Sequence, residues 1–160
     1  MPFALTPALV PSRASRRAHA TRGGDTSTPR SLSTSSVAGE HEAAPAHPLG
    51  LLRVQNGYVV SAPRWIQPSE EGVEIGALAT GEGDITDVGD DVSARHAHIW
   101  CDDSGTWFVE DLSSTNGTVV VNGATSVCIQ VEPGRCAQLN PGDELRLGES
   151  TTYAILLGAL

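Results

Sequence analysis

Hydrophobic and polar positions divide the chain into two textures. Over residues 1–49, stretches such as "GGDTSTPRSLSTSSVAGEHEAAPAHP" show little periodicity and few apolar positions to bury. Ordering them would cost conformational entropy without a hydrophobic return, so this segment is expected to be a disordered tail rich in Ser, Ala, Pro and Arg. From residue 50 onward, short β-rich runs alternate with turn signals. "LLRV" leads into Asn56-Gly57, a strong hairpin signal. "YVVSA", "RWIQP" and "GVEIGAL" follow. "HAHIWC" alternates, which sends Ala97, Ile99 and Cys101 to one face and His96, His98 and Trp100 to the other. "TWFVEDL", "TVVV" with a second Asn-Gly pair at 122–123, "SVCIQVE", "CAQL", "ELRLG" and "TTYAILL" complete the series. About ten to eleven short strands, at roughly ten-residue spacing and without a helical stretch, predict an all-β sandwich over residues 50–160.

Composition sharpens this. Aromatic residues are only 4% of the chain, so the core must be mainly Val, Ile and Leu. There is no lysine, and the formal charge of −9 is unevenly spread. Residues 51–160 hold five arginines against sixteen acids, a balance of −11. Coulomb repulsion then works against nucleic acid and anionic membrane as partners. Cys101, Cys128 and Cys136 are odd in number and lack CxxC spacing, which suits a reducing, cytoplasmic setting. No apolar run reaches the roughly 18 residues of a membrane span, and the paired arginines near the start lead into no apolar signal core.

Candidate chemistry lies in two stretches, "DDVSARHAHIW" and "DLSSTNGTVVVNG". Phosphate is held by hydroxyls, backbone N–H groups and cationic forks on loops that a rigid sheet positions. Ser93, Arg95, Ser114, Thr115 and Asn116 are suitable residue types, one group just before a strand and the other just after one. Each also has a plainer reading: Ser93 as a turn residue, Arg95 as a surface partner of Asp90 or Asp91, and Thr115-Asn116-Gly117 as a tight turn. His96, His98 and Cys101 do not make a metal site, because the period of two puts Cys101 on the opposite face. "GEGD" at 81–84 lacks the Lys-Ser/Thr of a nucleotide loop and is expected to be a loop of the binding end. No nucleophile order or paired-acid frame marks an enzyme, and no cofactor is expected.

In combination these elements resemble the forkhead-associated (FHA) domain family, β-sandwich readers of phosphothreonine peptides. The motifs run in order: "VEIG", "GDIT", "VSARHAHI", "WFVEDLSSTNGTVVVNG" and "LNPGDELRLG". "TVVVNG" is one residue longer than the usual form, which a β-bulge would absorb. The resemblance implies that Ser93 bonds phosphate through its hydroxyl and that Thr115 contacts it from the following loop. It implies that Asn116 holds the peptide backbone, while His96 braces the loops, with Gly76 and Gly117 shaping them. It also implies an adaptor in Ser/Thr-phosphorylation signalling, with kinase substrates as partners.

Two positions depart from the family. The arginine expected after Gly76 is Ala77, and the basic or amide residue expected after Ser93 is Ala94. A lost charge-assisted hydrogen bond of about 1.5–3 kcal/mol net weakens binding roughly ten- to a hundredfold. Arg53, Arg64 and Arg135 would substitute only if the fold brings them to the pocket, and Asp87, Asp90 and Asp91 would add repulsion there. The alternative is an FHA-like scaffold that docks an unphosphorylated partner. Thr26 and Thr28, in "DTSTPRS", raise a further partner: the tail itself, once phosphorylated.

Overall fold

The computed structural model describes residues 45–160, so the tail reading and the Thr26/Thr28 self-binding idea lie outside the described residues. Eleven strands form two antiparallel sheets, with no helix among the described residues. The strands are β1 (Leu49–Gln55), β2 (Tyr58–Val59), β3 (Arg64–Ile66), β4 (Val73–Ile75), β5 (Ala97–Cys101) and β6 (Trp107–Asp111). They continue with β7 (Thr118–Val121), β8 (Cys128–Val131), β9 (Cys136–Leu139), β10 (Glu144–Leu147) and β11 (Thr151–Leu157). One sheet runs β2-β1-β11-β10-β7-β8, with β3 also on β1, and the other runs β4-β5-β6-β9.

Period-two patterning builds the core. β5 and β6 alternate buried and half-buried positions, with Ala97, Ile99, Cys101, Trp107 and Val109 turned inward. They meet Leu49, Leu51, Val120, Leu145, Leu147 and Ile155 of the facing sheet. As the composition requires, the core is aliphatic apart from Cys101, Trp107 and Tyr153. Trp65, by contrast, lies on the outside over Gly50 and is about half exposed. His96 corrects the face assignment. The strand starts only at Ala97, and His96 is 0% exposed rather than on the outer face with His98 and Trp100.

The two Asn-Gly pairs behave differently. Asn56 (φ 51°) and Gly57 (φ 79°) make a two-residue turn between the paired Gln55 and Tyr58. Asn122 instead opens a longer loop. Its Oδ1 accepts from the Ala124 and Thr125 amides, and the chain re-pairs only at Val127. Nor is there a bulge in β7, whose four residues pair without a break to β10 on one side and β8 on the other.

The sandwich also takes in residues upstream of Gly50. Leu49 is 0% exposed and pairs with both Leu157 and Ile66. The Trp107 indole N–H donates to the His47 carbonyl at 3.0 Å, and Gly158 N–H donates to the Pro48 carbonyl at 2.7 Å. We therefore expect Leu49→Ala to cost about 2–5 kcal/mol, as for a fully enclosed core leucine. Chemical denaturation measures this directly, and a change below about 1 kcal/mol would mean that β1 is not locked into the core at that end.

Candidate functional site

The two loops quoted above meet at one end of the sandwich, and hydrogen bonds tie them together. The Thr115 amide donates to the Ser93 hydroxyl at 3.0 Å, and the two hydroxyls face each other at 3.5 Å. The Asn116 side-chain amide donates to the Asp91 carbonyl at 2.7 Å. Ser93, Thr115 and Asn116, singled out from sequence, are thus brought together, and Thr115 and Asn116 are exposed.

Beneath them sits His96. Its Nδ1 accepts from the Ser93 amide at 3.1 Å, which leaves Nε2–H to donate to the Gly117 carbonyl at 2.9 Å. Its backbone N–H goes to Ile75 and its carbonyl accepts from Leu112. Gly117 (φ 83°) makes the turn, as expected, but Ser113 is also left-handed, at φ 60°. Ser113 therefore adopts a conformation that glycine would take more cheaply.

The Ser114 hydroxyl is engaged within the fold. It donates to Asp111 at 2.6 Å and accepts from the Gly117 amide at 3.0 Å. Asp111, which sequence reasoning passed over, is 2% exposed and also receives the Ser114 amide and the Thr118 hydroxyl. Burial pushes its carboxyl up, but the Ser114 and Thr118 hydrogen bonds outweigh this and hold it below the usual carboxylate range. The available signal was an Asp at the end of one strand, three residues before a Ser.

Gly76 and Ala77 run alongside the Ser93 loop. Ala77 N–H donates to the Ser93 carbonyl at 3.0 Å, and Leu78 N–H to the Ala94 carbonyl at 2.9 Å. A Cβ on Gly76 would sit 2.3 Å from the Ala94 oxygen, so glycine is required for the approach. Ala77 is exposed beside the pocket and brings no cation. Arg53 is paired with Asp87 and Arg135 with Glu132, while Arg64 lines a separate cleft with Asp84 and Asp87. Arg95 pairs with neither Asp90 nor Asp91; it binds both oxygens of Glu74 through Nε and Nη2. That contact holds the Glu74 carboxyl below, and the Arg95 guanidinium above, its ordinary range.

The acids nearby are partly spoken for. Asp91 accepts from the Ser150 hydroxyl and the Glu149 and Ser150 amides, which lowers its pKa. Asp84 closes "GEGD" by accepting from Gly81, and it also takes the Glu74 amide. No group of three or more His, Cys, Asp or Glu side chains among the described residues is arranged to hold a metal ion.

Residues 73–148, which contain both loops, match the model of the FHA domain family. The chain carries an FHA domain. An FHA domain-containing protein of Arabidopsis thaliana is 33% identical over 84 residues. That stretch is 52% of this chain but 19% of the relative, so the chain spans about a fifth of the relative's length. The solution structure of the FHA domain of an Arabidopsis thaliana hypothetical protein superposes with a TM-score of 0.57 at 24% identity, covering 74% of this chain and 92% of that one. Mycobacterium tuberculosis EmbR, in complex with a low affinity phosphopeptide, gives 0.52 at 23% identity over 71% of this chain and 25% of its own. The FHA domain of human APLF, in complex with an XRCC1 bisphospho peptide, gives 0.51 at 22% over 68% and 97%.

The Asp111 knot makes a prediction about this FHA domain. Because its folded pKa is depressed, Asp111 contributes stability that is present above its unfolded value, near 4. That stability is lost as pH falls through the folded value. Asp111→Ala should cost about 2–4 kcal/mol at neutral pH, since it leaves buried donors unpaired. Asp111→Asn should flatten the acid limb of the stability–pH profile below about pH 4. Thermal unfolding across pH tests both, and an acid limb unchanged in Asp111→Asn would remove Asp111 as the titrating brace.

Proposed function

We propose that the Ser93 and Thr115–Asn116 loops hold a phosphothreonine-containing peptide, with affinity reduced by the absence of a cation at Ala77. The observation that carries this is the pairing of Ser93 with Thr115. At 3.5 Å, the bond from the Ser93 hydroxyl to that of Thr115 is at the limit of a useful hydrogen bond. Its proton can swing to a phosphate oxygen at little cost, while the firm 3.0 Å bond from the Thr115 amide keeps the oxygen in place. The Thr115 hydroxyl lies beside it. Asn116 can keep one amide hydrogen on Asp91 and offer the other, with its carbonyl oxygen, to the backbone of an extended peptide. Such a site is organised before ligand arrives, which limits the entropy lost on binding. The phosphopeptides in the EmbR and APLF structures support the same ligand class.

On this reading the protein is an interaction module in Ser/Thr-phosphorylation signalling, with phosphorylated proteins as partners. The unpaired Cys101, Cys128 and Cys136 are in keeping with a reducing, cytoplasmic setting. A second reading, docking of an unmodified partner, is favoured by Ala77 and Ala94, neither of which brings a cation to the pocket rim.

Binding of the full chain to a degenerate phosphothreonine peptide pool and its unphosphorylated twin separates the two. The first reading expects binding that needs phosphate and is lost in Ser93→Ala. It also expects Ala77→Arg to tighten binding about tenfold or more, the worth of one charge-assisted contact. Equal binding to both pools, indifferent to Ser93→Ala, would select the second.

A further inference from the structure

We infer that Glu74 sets the strength of phosphate binding by competing for Arg95. This rests on the phosphothreonine reading above and adds the group that regulates it. Arg95 is the only arginine or lysine carried by either loop, two residues from Ser93 in a turn fixed by His96. Among the described residues it is the cation nearest to Ser93 along the chain, and so the candidate for the role that Ala77 does not fill. Its guanidinium is engaged, since Nε and Nη2 fork onto the two oxygens of Glu74, one residue before the inner end of β4.

The clamp is positioned on both sides. Glu74 pairs with His98 across the β4–β5 ladder, and its amide is held by Asp84 at 2.9 Å. Asp84 also supports the cationic form of Arg95. The Arg95 side chain nevertheless remains 66% exposed, and Glu74 26%. An exposed pair of this kind is held weakly, so a dianionic phosphate can exchange with it. A guanidinium has five N–H donors, and two are used here, so the remaining edge can meet a phosphate oxygen before the fork leaves the carboxylate. Glu74 opposes this step twice, by neutralising Arg95 and by repelling phosphate. The two effects are separable, because only the first needs Arg95.

Three variants of the full chain, Glu74→Gln, Arg95→Gln and the double variant, are titrated with the degenerate phosphothreonine pool and its unphosphorylated twin. Glu74→Gln should bind the phosphorylated pool about two- to tenfold more tightly, the scale expected for releasing an exposed ion pair. The gain should vanish when Arg95 is already Gln, which is the coupling a double-mutant cycle reads. The Arg95 Nε–H resonance should shift when the pool is added to the unsubstituted chain. A gain of equal size in the Arg95→Gln background would reduce Glu74 to a simple repulsive charge and overturn the competition. So would an unchanged or weaker affinity in Glu74→Gln. If phosphate and Ser93 are required yet Glu74→Gln gains nothing, only the competition fails. If binding ignores phosphate altogether, the phosphothreonine reading fails and the competition with it.

Discussion

Every polar group of His96 is spent on a different segment, and the geometry of the binding end follows from that. Its amide and carbonyl join the ends of β4 and β6, while its two ring nitrogens join the Ser93 and Gly117 loops. The ring is fully enclosed, so each of these bonds forms where water cannot substitute. An imidazole is suited to this because it accepts at one nitrogen and donates at the other, in fixed directions about 2 Å apart. The Gly117 carbonyl also takes the Gly148 amide, which extends the bracing to the β10–β11 turn. Loops that would otherwise splay are thereby set at hydrogen-bonding distance, and the Ser93–Thr115 contact is a consequence.

The acidity of the body has a structural use as well as an electrostatic one. Asp84, Asp91, Asp102, Asp111 and Asp143 each accept backbone amides at the turns they serve. Asp143 alone joins the Gly123 loop to the Asn140 turn. A sandwich of short strands has many turns, and each turn leaves amides that need acceptors. Carboxylates supply them at close range, with little need for aromatic bulk. The repulsion expected of Asp87 and Asp91 is tempered accordingly. Asp87 faces Arg53, and Asp91 faces the amides and hydroxyl of residues 149–150. The net charge of the body still disfavours polyanions at long range, but beyond about 8 Å it is screened at physiological salt.

Period two and turn chemistry made most of the fold legible in the sequence. The alternation of β5 and β6 and the Asn56-Gly57 hairpin are properties of a few adjacent residues. What sequence missed depends on groups far apart in the chain. His96 continues the alternation of β5 on paper, yet it leaves the strand because Ser93 and Gly117, on separate loops, both need its ring. The Asn122-Gly123 pair looks like the first hairpin, but Asp143 takes the Gly123 amide and a longer loop results. Arg95 was matched with its nearest acids in sequence, whereas the β4–β5 pairing brings Glu74 to it. Of the site, Ser93, Thr115 and Asn116 were legible because a motif names them; Asp111 and Glu74 were not, because their roles exist only once the strands are paired.

This difference bears on what the motif itself means. His96, Asp111, Ser114, Gly117 and Thr118 are all accounted for by hydrogen bonds inside the fold. A sandwich with no ligand at all would need them to close its loops. Their presence therefore argues for the architecture and says little about phosphate. The residues that the fold does not explain are fewer. The hydroxyl proton of Ser93 has only a marginal partner, Thr115 is exposed, and Asn116 presents an amide at the rim. Ala77 is equally free of structural duty, since only its backbone is used. A side chain there can be exchanged without disturbing the loops. On the proposed reading, ligand affinity thus turns on a handful of rim groups resting on a frame that the fold closes by itself.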